Sequence, residues 1–532
     1  MRTSIGSLLR LARAGFVLAR AGVFSDLDPA IVPPAGRLPL ALAKLLASRD
    51  AKTARIKGAG KPGGGLANLP GAISRLGPSY VKLGQFLATR PDVVGTKVVR
   101  QLELLQDRMA PFPRAVAIST IEAAFGEPIE RIFVSFGEPV AAASIAQVHR
   151  ARVKDAAGER DVAVKVLRPG VERRFRRDLG DMYFAARLAE RWISDARRLK
   201  LIEVVDTLAR TVKMEMDFRL EAAAASEFGE NVAKDTDLRA PKIDWDRTEK
   251  EVLTLEWIEG TPLSDIKTLA RKGYNLPDLG RNVVQSFLRT AMRDGFFHAD
   301  MHQGNLFVDT QGRLTAVDFG IMGRLGFNER RFLAEILYGF IKRDYRRVAE
   351  VHFEAGYVPR IHKVEDFAQA IRAIGEPIHA RTADQISMAK LLTLLFEITA
   401  LFDMKTRIEL VLLQKTMVVV EGVARMLDPK LNVWTTSEPV VGAWIEQNLG
   451  PLGKLQDAGR AATTLARFTS NLPAVLLRAE NIVNQLEGVA ENGLEFSESA
   501  MQKLTEAQAR GSRVGHIALW LIAAAAFLLL IR

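Results

Sequence analysis

HADMHQGNLFVDTQGRLTAVDFG, residues 298–320, is the stretch on which the reading of this chain turns. It holds two short polar segments in a fixed order. The first carries His298, Asp300 and Asn305; the second, after the turn-like TQGR, carries Asp318 followed by Phe319 and Gly320. Asn305 and Asp318 stand 13 residues apart, and Asp300 and Asp318 stand 18 apart. An amide oxygen and a carboxylate are hard donors of the kind that hold Mg2+. Singly such segments are common, and it is their order and spacing that carry the signal.

The first segment falls into the register H-R-D-x-x-x-x-N of kinase catalytic loops, where the Asp orients a hydroxyl and the Asn holds magnesium; the second matches the metal-binding D-F-G. Upstream, Lys165 lies in VAVKV, an alternating strand pattern in which the Lys points away from its valine neighbours. Alone it is an ordinary solvated lysine. In this company it matches the lysine that steadies the α- and β-phosphates of a nucleotide. That lysine needs a partner acid, and Glu215, Asp217 and Glu221 are the candidates, with Asp217 and Glu221 four residues apart on one helix face. Several kinase features are missing. AAASIAQVH at 141–149 stands where a G-x-G-x-x-G would, and alanine neither lets phosphate approach the backbone as glycine does nor adopts positive φ cheaply. Ala299 replaces the Arg of H-R-D, and His302 replaces the usual Lys two residues after the Asp. No A-P-E follows D-F-G, because a helical pattern resumes near Asn328. Between Lys165 and Glu221 lie 55 residues, more than a kinase spends there. An ordinary protein kinase with a peptide-docking segment is therefore not expected.

Working outward, residues 25–75 are rich in Pro and Gly and read as loop or linker. A helix begins near Gly77-Pro78, runs through SYVKLGQFLATR and must end before Pro91; a second amphipathic stretch covers Val98–Arg108. From about Ile129 to Val166 the runs are short and β-rich. Long helical patterns extend from Asp178 to Glu227, a strand pair brackets Arg239–Glu256, and everything after Ser264 reads as mainly helical apart from loops around 298–320. The fold class expected is α+β: an atypical bilobal protein-kinase-like fold with an N-terminal helical extension and a C-terminal transmembrane helix. The divisions are 1–75 (basic, membrane-proximal segment and linker), 76–128 (helical extension), 129–258 (N-lobe), 259–430 (C-lobe), 431–512 (helical tail) and 514–531 (membrane span).

Composition sets outer bounds. The 532 residues are 48% hydrophobic and 26% charged, as in a folded protein, and Ala and Leu favour helices. A formal charge of +12 suits an anionic partner such as phospholipid headgroups, nucleotide or nucleic acid, without choosing among them. With no Cys there is no disulfide, thiolate metal site or Cys nucleophile. Residues 514–531, VGHIALWLIAAAAFLLLI, are 18 uncharged residues, about 27 Å as a helix, close to a bilayer's hydrocarbon thickness. Arg510 and Arg513 precede the span and only Arg532 follows it, so the main domain is expected on the cytoplasmic side. The N-terminus carries Arg2, Arg10, Arg13 and Arg20 with no acid before Asp26, as an interfacial basic helix or a mitochondrial-type targeting segment would.

By these residues the chain resembles the UbiB family of atypical kinase-like proteins, whose eukaryotic relatives act in coenzyme Q assembly. Lys82-Leu83-Gly84-Gln85 matches the family's K-x-G-Q signature and Glu215-Met216-Asp217 its E-x-D signature. AAASIAQVH matches its alanine-rich loop. HADMHQGN resembles its H-G-D-x-H-x-G-N loop, with Ala299 for Gly and Gln303 where Pro is frequent. The resemblance implies that Lys82 lies over the nucleotide pocket and pairs with Glu215, that Asp217 lies near metal and phosphates, and that Glu221 pairs with Lys165. Asp300, with Lys165, Lys82, Glu215 and Asp217, is then the catalytic set. Asn305 and Asp318 hold Mg2+. ATP or ADP lies against Ala141, Ala142, Ala143, Ser144, Gln147, Val148, Lys165, Glu221 and Glu256. The function implied is a membrane-bound ATPase supporting ubiquinone biosynthesis, acting on or extracting lipid intermediates or organising the biosynthetic complex. The alternatives are a nucleotide-binding membrane scaffold without turnover, or a kinase acting on a small molecule or protein. Expected partners are membrane lipids, prenylated quinone precursors and other ubiquinone-biosynthesis proteins, with no nucleic acid. The expected location is the bacterial inner (cytoplasmic) membrane, with the mitochondrial inner membrane as the alternative.

Overall fold

The alternating runs around Lys165 build a four-stranded antiparallel sheet. β1 (Ser135–Ala142), β2 (Ala146–Asp155) and β3 (Gly158–Leu167) follow one another through tight turns. After a long helical excursion and the two-residue β4 (Leu238–Arg239), β5 (Val252–Glu256) returns beside β3, giving the order β1-β2-β3-β5. Period-two alternation divides β3 between two faces. Val162, Val164 and Val166 are fully buried on one side. Lys165 faces the other, opposite Val148 of β2 and Leu253 of β5. In this computed structural model the described residues are 2–23, 41, 44 and 68–450, except 89, 103, 106–108, 157, 193–196, 198, 380–397, 399–400 and 405–407.

Helices cover both faces. Ahead of the sheet come α1 (Arg2–Arg20), α2 (Leu69–Leu76), α3 (Pro78–Ala88), α4 (Pro91–Val94), α5 (Thr96–Leu102), α6 (Arg114–Phe125) and α7 (Ile129–Ile132). Between β3 and β4 lie α8 (Val171–Trp192), α9 (Leu201–Glu215) and α10 (Phe218–Asn231). On the valine face, Ala117 and Ile121 of α6 pack against Val162, Val164 and Val166. On the lysine face, Phe175, Leu208, Val212, Phe218 and Ala222 from α8–α10 pack with Leu167 and Leu253. Each such buried apolar side chain contributes on the order of 1.5–3 kcal/mol. Tyr80, Leu83 and Phe86 of α3 join this second cluster, which seats the K-x-G-Q helix on the lysine face.

Downstream, β6 (Gly260–Pro262), α11 (Ile266–Arg271) and α12 (Leu276–Arg289) lead through a π-helical turn at Thr290–Asp294 to β7 (Phe296–His298). Then come β8 (Leu306–Asp309), β9 (Leu314–Ala316), β10 (Met322–Arg324), α13 (Phe327–Lys342), α14 (Tyr345–Glu354), α15 (Val364–His379), α16 (Ile408–Leu427) and α17 (Val433–Leu449). A second sheet runs β4-β9-β8-β6, and β10 pairs with β7. Val283, Val284, Phe287 and Leu288 of α12 and Val420, Ala424 and Leu427 of α16 share one core with Phe296 and Phe297 of β7. The chain divides into two compact units, Leu11–Ile445 and a second made of Met1–Arg10 with Glu446–Arg532. The described part of the second is only the start of α1 and the end of α17.

Several sequence expectations need correction. The strand pair expected across Arg239–Glu256 is two strands in different sheets: β4 runs parallel to β9, while β5 pairs with β3. The loops around 298–320 contain strands, because Leu306–Asp309 and Leu314–Ala316 are short apolar runs that pair across TQGR. Of the stretch expected to be helical from Val98 to Arg108, the part to Leu102 is helical, Leu104 and Leu105 are not, and 103 and 106–108 lie outside the described residues; the helix expected from Asp178 begins at Val171. The end of the Pro/Gly-rich region is helical in α2. The candidate span 514–531 lies outside the described residues; among the described residues no helix is long and apolar enough to cross a membrane.

Gly323 of β10 gives a test of this packing. A Cβ there would lie 2.2 Å from the ring of Phe297, which is fully buried. Gly323→Ala should destabilise the protein by about 1–3 kcal/mol through overpacking. Chemical unfolding measures this, and an unchanged midpoint would contradict the placement of β10 on β7.

Candidate functional site

The β8–β9 hairpin explains the 13-residue spacing. Leu306 pairs with Ala316, and the Val317 amide donates to the Asn305 carbonyl at 2.9 Å. The residues that open and follow the hairpin, Asn305 and Asp318, therefore emerge side by side. Asp309 makes the turn possible: its Oδ1 accepts from the amides of Gln311 and Arg313, both at 2.9 Å. His298, buried at the end of β7, ties the two polar segments together. Its Nε2 faces the Val317 carbonyl at 3.1 Å and its Nδ1 accepts from the Asp300 amide at 3.1 Å. Asn305 Nδ2 donates to the Asp300 carbonyl at 3.1 Å, so its Oδ1 is the atom left for a cation.

Across from this loop, Lys165 Nζ donates to Glu221 Oε1 and Oε2 at 2.8 and 2.9 Å and to Asp318 Oδ1 at 3.0 Å. One ammonium thus holds two carboxylates. Burial alone would make Lys165 easier to deprotonate, but Asp318 and Glu221 outweigh it and keep it charged. Burial pushes the Glu221 carboxyl up, against the pull of Lys165 and with the neighbouring Asp318 charge adding to the rise. Asp318 is held well below the usual carboxylate range by Lys165 foremost, against burial, with Lys82 and His298 adding to the effect. Asp318 also has φ 62°, a left-handed backbone that a non-glycine residue rarely adopts. That turn is what brings its carboxylate, half exposed, onto the lysine.

The second ion pair is Lys82–Glu215 at 2.7 Å, nearly buried, between α3 and the end of α9. Gly84, one turn's half beyond Lys82, is required by close packing: a Cβ there would lie 2.4 Å from Leu105 Cδ1. Asp217 is placed differently from the expectation that it shares a helix face with Glu221. It is the N-cap of α10, outside the helix, and its side chain accepts from the Arg219 amide and pairs with the Arg219 guanidinium. Its carboxyl is lowered chiefly by that hydrogen bond.

The alanine-rich segment is the tip of the β1–β2 hairpin. Ala141 and Ala142 end β1, Ala143 and Ser144 lie in the turn, and Gln147 and Val148 are in β2. Gln147 does not face a nucleotide cleft with its side chain: it is buried and bonded to the backbone of Phe112 through both amide atoms, at 2.8 and 3.1 Å. Glu256, at the end of β5, has its carboxylate taken up by Arg239 at 3.0 Å, and Arg239 Nε also reaches Asp309 at 3.2 Å. The Glu256 amide is taken as well, donating to the Lys242 carbonyl at 2.8 Å. Between Gly320 and Phe327 just six residues intervene, three of them in β10, which leaves no room for a peptide-docking segment.

Sequence reading missed Arg239, which joins β5 to β8, and Thr416 of α16, whose fully buried hydroxyl lies 3.0 Å from the Ala299 carbonyl and so braces the loop beside Asp300. Neither carries a motif; both act over more than a hundred residues or across two sheets.

The donor set fits a magnesium nucleotide. A hard amide oxygen and a carboxylate flank a strand lysine, and Mg2+ commonly takes only one or two protein ligands beside phosphate and water. The class defined is a kinase-like fold of mixed helix and strand, and the comparisons agree. Residues 104–352 match the ABC1 atypical kinase-like domain and residues 371–432 the UbiB helical domain. The chain is 42% identical over 390 residues to the "Probable protein kinase UbiB" of Marinobacter nauticus, covering 72% of this chain and 71% of the relative. It is 41% identical to the protein of the same name from Pseudomonas paraeruginosa, covering 72% and 73%. The chain belongs to the UbiB family of atypical kinase-like proteins. In fold it is also similar to Mycobacterium tuberculosis Rv3197, a structure described as a complex with erythromycin, with TM-score 0.50 and 24% identity over 74% of this chain and 98% of that one.

His149 offers a pH test of the hairpin. Its ring is buried and stacked on Phe136 at 4.4 Å, with Nδ1 on the Gly137 carbonyl and Nε2 on Gln147. Burial lowers its pKa below 6.5, assisted by Arg114 and opposed by the Gly137 carbonyl and Glu138. A folded value below the unfolded one means that its contribution is complete above about pH 6.5 and is lost as pH falls through the folded value. His149→Gln should therefore show a shallower loss of stability than the unaltered chain when pH is lowered from about 7.5 to 5, by up to roughly 1.4 kcal/mol per unit. Parallel curves would count against a neutral, buried imidazole.

Proposed function

We propose that this chain is a magnesium-dependent ATPase of the UbiB family that supports ubiquinone biosynthesis at a membrane. The observation that carries the nucleotide part is the cluster in which Lys165 joins Glu221 and Asp318, with Asn305 beside Asp318 through the hairpin. When bound, Mg2+ would supply positive charge that offsets the phosphate oxygens. Asn305 Oδ1 and the Asp318 carboxylate would hold it, Lys165 would steady the α- and β-phosphates, and Asp300 would orient the attacking water or hydroxyl. Lys82, paired with Glu215, adds a second cation whose charge reaches Asp318.

Hydrolysis is favoured over peptide phosphorylation for two reasons. The segment after Gly320 is too short to dock a peptide. The K-x-G-Q helix packs on the lysine face, where a protein acceptor would have to approach. A small or lipid acceptor, or water, remains compatible with both. The pathway comes from kinship with proteins named UbiB. The membrane part rests on the uncharged run 514–531 and the arginines before it, and a bacterial inner membrane agrees with the bacterial source of the relatives.

The test is direct. MgADP at about 100 times its Kd should stabilise the unaltered chain by about 2.7 kcal/mol. In Asp318→Asn the magnesium-dependent share of that gain, and phosphate release from ATP, should disappear. Turnover by Asp318→Asn equal to the unaltered chain would refute the metal assignment. Label from radiolabelled ATP on an acceptor rather than in free phosphate would refute hydrolysis as the activity. Normal quinone levels in a deletion strain would remove the pathway.

A further inference from the structure

Asp300 joins two peptide units, and hydrogen bonds hold both. The unit before it carries the Ala299 carbonyl and the Asp300 amide. The amide donates to His298 Nδ1 at 3.1 Å, and the carbonyl accepts from Thr416 Oγ1 at 3.0 Å. A peptide unit is a rigid plane, so bonds at its two edges fix its tilt. The unit after Asp300 is held through the Asp300 carbonyl, which accepts from the His302 amide at 2.9 Å and from Asn305 Nδ2 at 3.1 Å. With both planes held, the direction in which Asp300 sends its side chain is set. His298, His302 and Asn305 belong to the loop itself. Thr416 comes from α16, 117 residues beyond Ala299, inside the stretch 371–432 that matches the UbiB helical domain.

The Thr416 bond is not one that the helix needs for itself. A helical threonine commonly bonds the carbonyl four residues back, and Thr416 Oγ1 does lie 2.8 Å from the Leu412 carbonyl. Its single proton is thus shared between two carbonyls. The group that needs the donor is Ala299. It is buried, and among the described residues no other group donates to its carbonyl; a buried carbonyl left unpaired is costly. Packing supports the same contact. Leu413 and Val420 lie three residues before and four after Thr416, on one helix face, and share a core with Ala299 and Met301 on either side of Asp300.

We propose that Thr416 is a positioning residue for the reaction: through the Ala299 carbonyl it sets the aim of Asp300, so that α16 is part of the reaction machinery. This rests on the reading of Asp300 as the group that orients the attacking water or hydroxyl. The hold on the loop does not rest on it. Lys165, Asn305 and Asp318 do not depend on this bond, so losing it should slow the chemical step and spare nucleotide binding.

The test uses the full-length chain with Thr416→Val, which keeps the shape and removes the donor, and Thr416→Ser, which keeps the donor. In Thr416→Val, amide hydrogen exchange across 299–302 should rise about tenfold or more over the unaltered chain, with β3 unchanged. The first-turnover rate of phosphate release from MgATP, with enzyme in excess, should fall about ten- to a hundredfold, while the Kd for MgADP stays within about twofold. Thr416→Ser should recover most of the rate. Unchanged exchange across 299–302 would overturn the proposal. So would loosening with an unaltered rate, a loss of rate matched by an equal loss of MgADP affinity, or a serine that recovers nothing. Where Thr416→Val does not fold, Thr416→Ala, which also lacks the donor, gives the same readings. An unaltered chain that releases no phosphate from ATP would remove the ATPase reading, and the exchange comparison would still decide whether Thr416 fixes the loop.

Discussion

Lys165 sits between two carboxylates, and most of the architecture around it exists to hold that arrangement. Glu221 comes from α10, 56 residues beyond Lys165, and Asp318 from the segment after β9, 153 residues beyond it, so one ammonium joins distant parts of the chain. Two acids sharing one base in a partly dry site cannot both be satisfied equally. The more buried one, Glu221, carries the cost of desolvation, and the exposed one, Asp318, stays ionised. That inequality is useful. Asp318 keeps half of its side chain open to solvent, while Glu221 holds the lysine from the buried side.

Around this centre the protein departs from an ordinary kinase in a consistent direction. The segment after D-F-G is cut to a short strand and a turn. The K-x-G-Q helix packs on the lysine face of the sheet, and a helix near the end of the described chain reaches the loop beside Asp300 through Thr416. Each change replaces a movable recognition element with a packed one.

Much of the site was legible because its residues sit in short segments whose spacing is set by local geometry. Asn305 and Asp318 are 13 residues apart because a two-strand hairpin closed by the Asp309 turn lies between them. The partner acid was narrower to find. Glu215, Asp217 and Glu221 were all candidates by residue type, and spacing alone could not tell them apart. Capping geometry did, since Asp217 ends at the mouth of α10 with Arg219 while Glu221 turns inward. Gln147 shows the opposite failure. Its place in a phosphate-side hairpin suggested a nucleotide contact, yet β2's alternation turns it toward Phe112 and away from Lys165's neighbour Val148.

The sequence by itself determined the class of fold and the chemical types at its centre. A strand lysine, a hydroxyl-orienting Asp, a hard-oxygen pair and the K-x-G-Q and E-x-D signatures are all local patterns, written within a few residues each. The family resemblance already implied the Lys82–Glu215 and Lys165–Glu221 pairs, and both are present; only the tertiary structure showed that Asp318 shares Lys165, that Glu256 and Asp309 are held by one arginine, and that α16 reaches back to the loop beside Asp300. Those pairings join distant segments. They depend on how two faces of a sheet and two helical layers pack, and no short window of sequence contains that information.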